Sequence, residues 1–287
     1  MKIFYSPKCM EYSQPGHPES PARIGSAYNL LAEKGFDFIE PHPCNDEDIL
    51  LAHSPALLES VKNESFFDLD TPVFPGIFEI AKLSAGAAVD AAMYCLNHGE
   101  KAFSLMRPPG HHATKNHLGG FCYFNNIAIA CLKARKEAGN IGKVAIVDFD
   151  CHHGNGTEDI VLGKQDFLYL SLHQSPLFPG TGLKSRDNCM NFPLSSGTGP
   201  DRYLSVLEDG IKAVEKFNPD LLAISAGFDT YLLDPIAGLS LEQETYGEIG
   251  RMLSGLNRPT FAVLEGGYSR DLPECVYQFL SGLEESA

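Results

Sequence analysis

The sequence predicts an α/β protein: a single domain over residues 1–287, a mostly parallel central sheet, helices on both faces, and an active site at the strand C-terminal ends. Three observations carry this. Short apolar runs alternate with longer helical patterns along the chain, the arrangement of a parallel sheet covered on both sides. Glycine and proline are scattered, with no linker or low-complexity tract to divide the chain. Five of the apolar runs also end in residues that carry chemistry.

In chain order the strand runs are Lys2–Tyr5, Ala102–Met106, Lys143–Phe149, Phe167–Leu172, Asp220–Ala226 and Thr260–Leu264. Each is short and dominated by apolar residues, as buried strands are. Between them lie helical patterns over Pro21–Lys34, Gly76–Asn97, Asn125–Ala138, Asp201–Phe217, Leu241–Leu256 and Leu272–Leu283.

The strand ends hold the informative residues. Met106 runs into Arg107-Pro108-Pro109-Gly110-His111-His112. Val147 runs into Asp148-Phe149-Asp150-Cys151-His152-His153-Gly154-Asn155-Gly156. Leu170 leads to Ser171 and His173, Ile224 to Asp229, and Leu264 to Glu265-Gly266-Gly267-Tyr268. Ligands of such sheets bind beyond these ends.

Acids and histidines are costly at the end of a buried strand unless something pairs them. A metal ion would. Residues i and i+2 of an extended segment share a side, so Asp150 and His152 can grip one ion, with Asp229 the natural third ligand. Cys151 faces the other way. Three protein ligands leave a position open, the pattern of a catalytic zinc site, with iron or cobalt as substitutes. Taken alone, Asp229 reads equally as a turn residue.

His111 and His112 are candidates for a general base and acid. Each needs an acceptor for its other nitrogen, which Asp148 and Asn155 can provide. Tyr268 is a candidate oxyanion donor, or else a packed tyrosine. Phe121 and Phe178, in Gly-rich loops, can wall a narrow slot or simply fill loops.

Bulk properties narrow the partners. The 22 basic and 37 acidic residues leave a net charge of −15, which suits solubility or a cationic substrate and argues against direct nucleic-acid binding. The eight cysteines form no CxxC pair and read as reduced thiols of a cytoplasmic protein. No signal peptide is expected, nor any apolar run near the ~20 residues of a membrane span. Oligomeric state leaves no mark in the sequence.

Several motifs together resemble a known family. They are Arg107-Pro108-Pro109-Gly110-His111-His112-Ala113, Gly120-Phe121-Cys122-Tyr123-Phe124-Asn125, the segment Asp148–Thr157, Phe178-Pro179-Gly180-Thr181-Gly182, Ala226-Gly227-Phe228-Asp229, Glu265-Gly266-Gly267-Tyr268 and His17-Pro18-Glu19-Ser20-Pro21-Ala22-Arg23. In this order they resemble the zinc-dependent histone deacetylase family, which includes bacterial acetylpolyamine amidohydrolases and shares the arginase/deacetylase fold. The His-His-Gly-Asn-Gly-Thr form is similar to the class II branch.

The resemblance implies one Zn2+ on Asp150, His152 and Asp229, and a structural K+ at Asp148, Ser171 and backbone carbonyls. It implies His112 as the main base and acid, His111 as its partner, and Tyr268 polarising the acetyl carbonyl. Gly120, Phe121 and Phe178 would line the acyl-chain tunnel, and Asp70 would hold the substrate at the rim. Asn155 would orient His112, and Arg23 would sit behind the metal near an internal cavity. The implied substrates are acetylated lysine in peptides or proteins, or acetylated polyamines, cleaved to acetate and a free amine.

There are departures and rivals. Asn155 stands where class I members have Asp, Leu177 where many have a second aromatic, and Ile236 is apolar. A two-manganese ureohydrolase on this fold needs an Asp at the position of Gly154. A non-catalytic acetyl-lysine binding module would be expected to have lost Tyr268, a ligand or the His pair, all of which remain. The short stretch from Val61 to Gly76 predicts an open rim.

Overall fold

In the computed structural model, which describes residues 1–139 and 141–285, the chain alternates strands and helices as expected. In order these are β1 (Lys2–Phe4), α1 (Pro21–Glu33), β2 (Asp37–Ile39), α2 (Asp46–Ala52), α3 (Pro55–Lys62), α4 (Ile77–His98), β3 (Ala102–Ser104), α5 (Asn126–Glu137), β4 (Val144–Asp148), α6 (Asn155–Val161), β5 (Phe167–Gln174), β6 (Cys189–Leu194), α7 (Pro200–Phe217), β7 (Leu221–Ala226), α8 (Gln243–Ser254), β8 (Thr260–Leu264) and α9 (Leu272–Glu284). A single 3-10 turn, Pro7–Met10, follows β1.

All eight strands are parallel and lie in the order β2-β1-β3-β8-β7-β4-β5-β6. One helical group packs α4 against α5, with α2, α3 and α6 alongside; the other joins α1, α8 and α9, with α7 against α8. The central strands β4, β7 and β8 are buried on both faces, which is why they read as unbroken apolar runs. This is the α/β architecture the sequence predicts.

Five elements escaped the pattern. Strand β2 has three half-exposed residues at one sheet edge, and β6 at the other carries Asn191 and Pro193; edge strands tolerate both traits. The helices α2, α3 and α6 span at most eight residues, too few for a clear period. Their caps were nonetheless visible: Asn45 and Asp48 form a reciprocal capping box on α2, and Ser54 caps α3 ahead of Pro55. Among the described residues no helix is long and apolar enough to cross a membrane.

Candidate active site

Strands β3, β8, β7 and β4 are consecutive in the sheet, so the loops leaving their carboxyl ends converge. Asp148, the last residue of β4, stands in register with Ser171 on β5 and Ser225 on β7. Just beyond, Asp150, His152 and Asp229 meet, all buried, with their ligand atoms within 4.8 Å of one another. His152 Nδ1 lies 3.1 Å from Asp150 Oδ1 and 2.9 Å from Asp229 Oδ2.

Backbone amides fix both acids. Gly266 N donates to Asp150 Oδ2 at 2.8 Å, and Cys151 N to Asp229 Oδ1 at 2.7 Å. Glycine is required at the first of these: a Cβ on Gly266 would overlap Asp229 Oδ2. Cys151 Sγ turns away toward Gln174.

Charge balance shows what this trio lacks. Burial, followed by the charge of Asp150, pushes the Asp229 carboxyl up to about 7. The His152 ring, despite burial, is held up to about 10 by Asp229 and Asp150. Two carboxylates in a dry pocket want more positive charge than one imidazole supplies. Two oxygen donors and one ring nitrogen with an open side fit a divalent cation of zinc type.

The histidine pair is oriented from behind. His112 Nδ1 donates to Asn155 Oδ1 at 2.8 Å, since that oxygen only accepts. Its Nε2 is thereby left unprotonated. Burial, then the neighbouring His111 and His152, hold its pKa well below the usual value. His111 Nδ1 donates to Asp148 Oδ2 at 3.1 Å. Burial opposes charge here too, but Asp150, Asp148 and Glu265 outweigh it and hold His111 well above the usual value. One ring is tuned toward base, its neighbour toward acid.

A cavity of about 250 Å³ leads down to these groups, walled by Pro109, Gly120, Phe121, Phe178 and Tyr268, with exposed Asp70 and the half-buried Ile236 also on its lining. The Phe178 ring stands edge-on 5.0 Å from His112. Phe121 takes a left-handed φ of 69°, with its N–H bonded to Thr71 Oγ1; a phenylalanine held there stores roughly 1–3 kcal/mol of strain. Gly120 has no alternative, because a Cβ would enter the His112 ring.

Arg23 lies against Tyr268, its guanidinium 4.6 Å from the ring centre. It donates to the carbonyls of Gly267 and Glu265 at 2.6 and 2.7 Å, and so fixes the turn that presents the tyrosine. Ser171 Oγ lies 2.8 Å from His173 Nδ1.

Some contributors were not singled out from sequence. Glu265, fully buried at the end of β8, accepts from Gly110 N at 2.7 Å, His111 N at 3.1 Å and Ser225 Oγ at 3.1 Å. It ties the His-His turn to β7, and burial pushes its carboxyl up to about 7. Its signal was the one that marked Asp148, an acid ending an apolar run. Tyr169 donates to Asp148 Oδ2 at 2.9 Å. A Cβ on Gly154 would overlap both that hydroxyl and Asp148 Oδ2, so no side chain fits where a two-metal site needs its extra acid.

A model of the histone deacetylase domain matches residues 17–283. The chain belongs to the histone deacetylase family. A probable deacetylase of Methanothermobacter thermautotrophicus is 37% identical over 302 residues, covering 99% of this chain and 91% of its own. Among solved structures, the HDA15 HD domain superposes with a TM-score of 0.93 at 30% identity, covering 99% of this chain and 91% of that one. The acetylpolyamine aminohydrolase of Burkholderia pseudomallei gives 0.89 at 26%, covering 98% of each. The fold is therefore the arginase/deacetylase fold of these neighbours, and the chain is a deacetylase.

Proposed function

We propose that the chain is a zinc-dependent amidohydrolase that cleaves N-acetyl amides of lysine side chains, or of other alkylamines, to acetate and the free amine. The observation that carries this is the buried Asp150, His152 and Asp229 trio meeting an unprotonated His112 nitrogen at the foot of a narrow cavity. Zinc held by the trio would supply Lewis acidity and lower the pKa of a water.

The protein's own groups divide the remaining work. The cavity walls Phe121 and Phe178 grip the alkyl arm and exclude bulk water. His112 Nε2 accepts the proton of the attacking water, while Nδ1 stays anchored on Asn155. The Tyr268 hydroxyl donates to the acyl oxygen as negative charge develops there. His111, held protonated by its carboxylate neighbours, supplies the proton that the leaving amine needs. Asp148 and Ser171, buried register partners, belong with a structural K+ in this reading. Cytoplasmic residence is part of it too, since all eight cysteines are buried and unpaired.

A fluorogenic acetyl-lysine substrate tests the proposal. Turnover should vanish with a strong chelator and return with one equivalent of Zn2+ per chain. Turnover untouched by full metal removal would overturn it. Specialisation for acetylated polyamines is the second reading. It is favoured by Asp70 on the cavity lining and the net charge of −15, and comparing acetylputrescine with an acetyl-lysine peptide addresses it.

A further inference from the structure

The large hydrophobic side chains that remain exposed are not spread over the surface. Phe67 and Leu69 are 88% and 87% exposed, and Leu183, Leu232 and Leu233 are 61%, 47% and 60% exposed. Phe67 and Leu69 alternate with Asp68 and Asp70, both of which line cavities that share the Phe178 wall. Leu183 ends the turn that follows Phe178 and lines the adjoining groove. Leu232 and Leu233 precede Asp234, whose carboxylate holds Tyr268 N at 2.8 Å, and Ile236 on the cavity lining. Three loops thus set an apolar collar around one opening. An exposed apolar cluster on an otherwise acidic surface marks a contact site.

We propose that this collar is the docking surface for a peptide: the chain acts on acetyl-lysine in polypeptides whose flanking residues are apolar, with Phe67 and Leu69 as specificity-determining residues. This rests on the reading of the cavity as the acyl-amine site. The cavity, about 250 Å³, holds an acetylated alkyl arm and little more, so whatever carries the arm must lie on the collar. A polyamine remainder is a hydrated polycation and gains nothing from exposed Phe and Leu. A peptide supplies both complements: apolar side chains for the collar, and backbone N–H donors for the Asp68 and Asp70 carboxylates set between them.

The test uses the zinc-loaded full chain, three substrates and one double variant. The substrates are an acetyl-lysine peptide flanked by Leu and Phe, the same peptide flanked by Ser and Gly, and acetylputrescine. The wild type should prefer the apolar-flanked peptide by about tenfold in kcat/KM. Phe67→Ser/Leu69→Ser should abolish that preference, mainly through KM, while acetylputrescine turnover changes less than twofold. No flank preference in the wild type, or a preference surviving in the variant, overturns the inference. So does a dimer in solution that the variant dissociates without altering peptide kinetics, because the collar would then serve a second copy. If no acetyl amide is hydrolysed, the proposed function itself falls, whereas turnover without flank dependence removes this inference alone.

Discussion

His111 and His112 have rings 4.0 Å apart, yet their surroundings drive them in opposite directions. The difference lies in the partners of Nδ1: a carboxylate for His111 and a neutral amide for His112. Asn155→Asp should therefore raise the pKa of His112. As His112 acts in its neutral form, the acidic limb of the kcat/KM profile should move up by roughly one unit, with little change in metal content. An unmoved limb would remove His112 as the base. Tyr268→Phe should retain zinc, because the hydroxyl is no ligand, and lose about a hundred- to a thousandfold in kcat. Near-normal turnover would rule out the tyrosine as oxyanion donor. Both residues stood out in the sequence because chemistry-bearing residues at several strand ends do not coincide by chance. Asp70 was named from family resemblance alone, and nothing in its own surroundings in the sequence marks it.

The elements behind the site show where local reading fails. Glu19 lies in a loop before α1, in the segment His17-Pro18-Glu19, and its own position carries no pattern. In the fold it is buried and accepts from Arg107 Nε and Nη2 at 2.8 and 2.6 Å, Arg23 Nη1 at 3.0 Å and Tyr12 OH at 2.9 Å. It joins the base of the His-His turn, through Arg107, to the Tyr268 turn, through Arg23. Burial opposes its charge, yet Arg107 and Arg23 hold its carboxyl below the usual range. Glu19→Gln would leave two buried guanidinium groups poorly paired, at a cost of roughly 3–5 kcal/mol. Urea unfolding should show this as a lower midpoint, and an unchanged midpoint would mean that water or another acid replaces the pairing. The short elements β2, β6, α2, α3 and α6 were missed for a related reason: each is stabilised by its neighbours more than by its own periodicity.

At the scale of the whole molecule, two buried histidines distant in sequence govern acid stability. His53 donates from Nδ1 to Thr114 O at 2.9 Å and accepts from Asn125 N at 2.8 Å; His173 lies 2.8 Å from Ser171 Oγ and 3.1 Å from Gly182 O. Burial lowers the pKa of each to about 4. Unfolded, each titrates near 6.5. Between these values the unfolded chain binds more protons, so the stability gained by keeping the rings neutral is complete above about pH 6.5 and is lost as pH falls toward 4. Each ring accounts for roughly 3 kcal/mol over that span. Urea midpoints should fall steadily from pH 7 to 4.5, and His53→Gln should flatten the slope. An equal slope in the variant would show that other groups set the acid limb.

The sequence by itself determined the α/β class, the parallel sheet and the cluster of ligands and histidines at its strand ends. Those follow from period and from the cost of burying charge, and both are local properties. Only the tertiary structure decided which ends meet: the strand order sets β3, β8, β7 and β4 side by side although they lie far apart in the chain. It also decided that Glu265 and Glu19 brace the site, that Tyr169 and Asp148 fill the space beside Gly154, and that scattered leucines and a phenylalanine form a collar around one opening. Each is a contact between residues remote in sequence, fixed by strand order and packing rather than by any pattern along the chain.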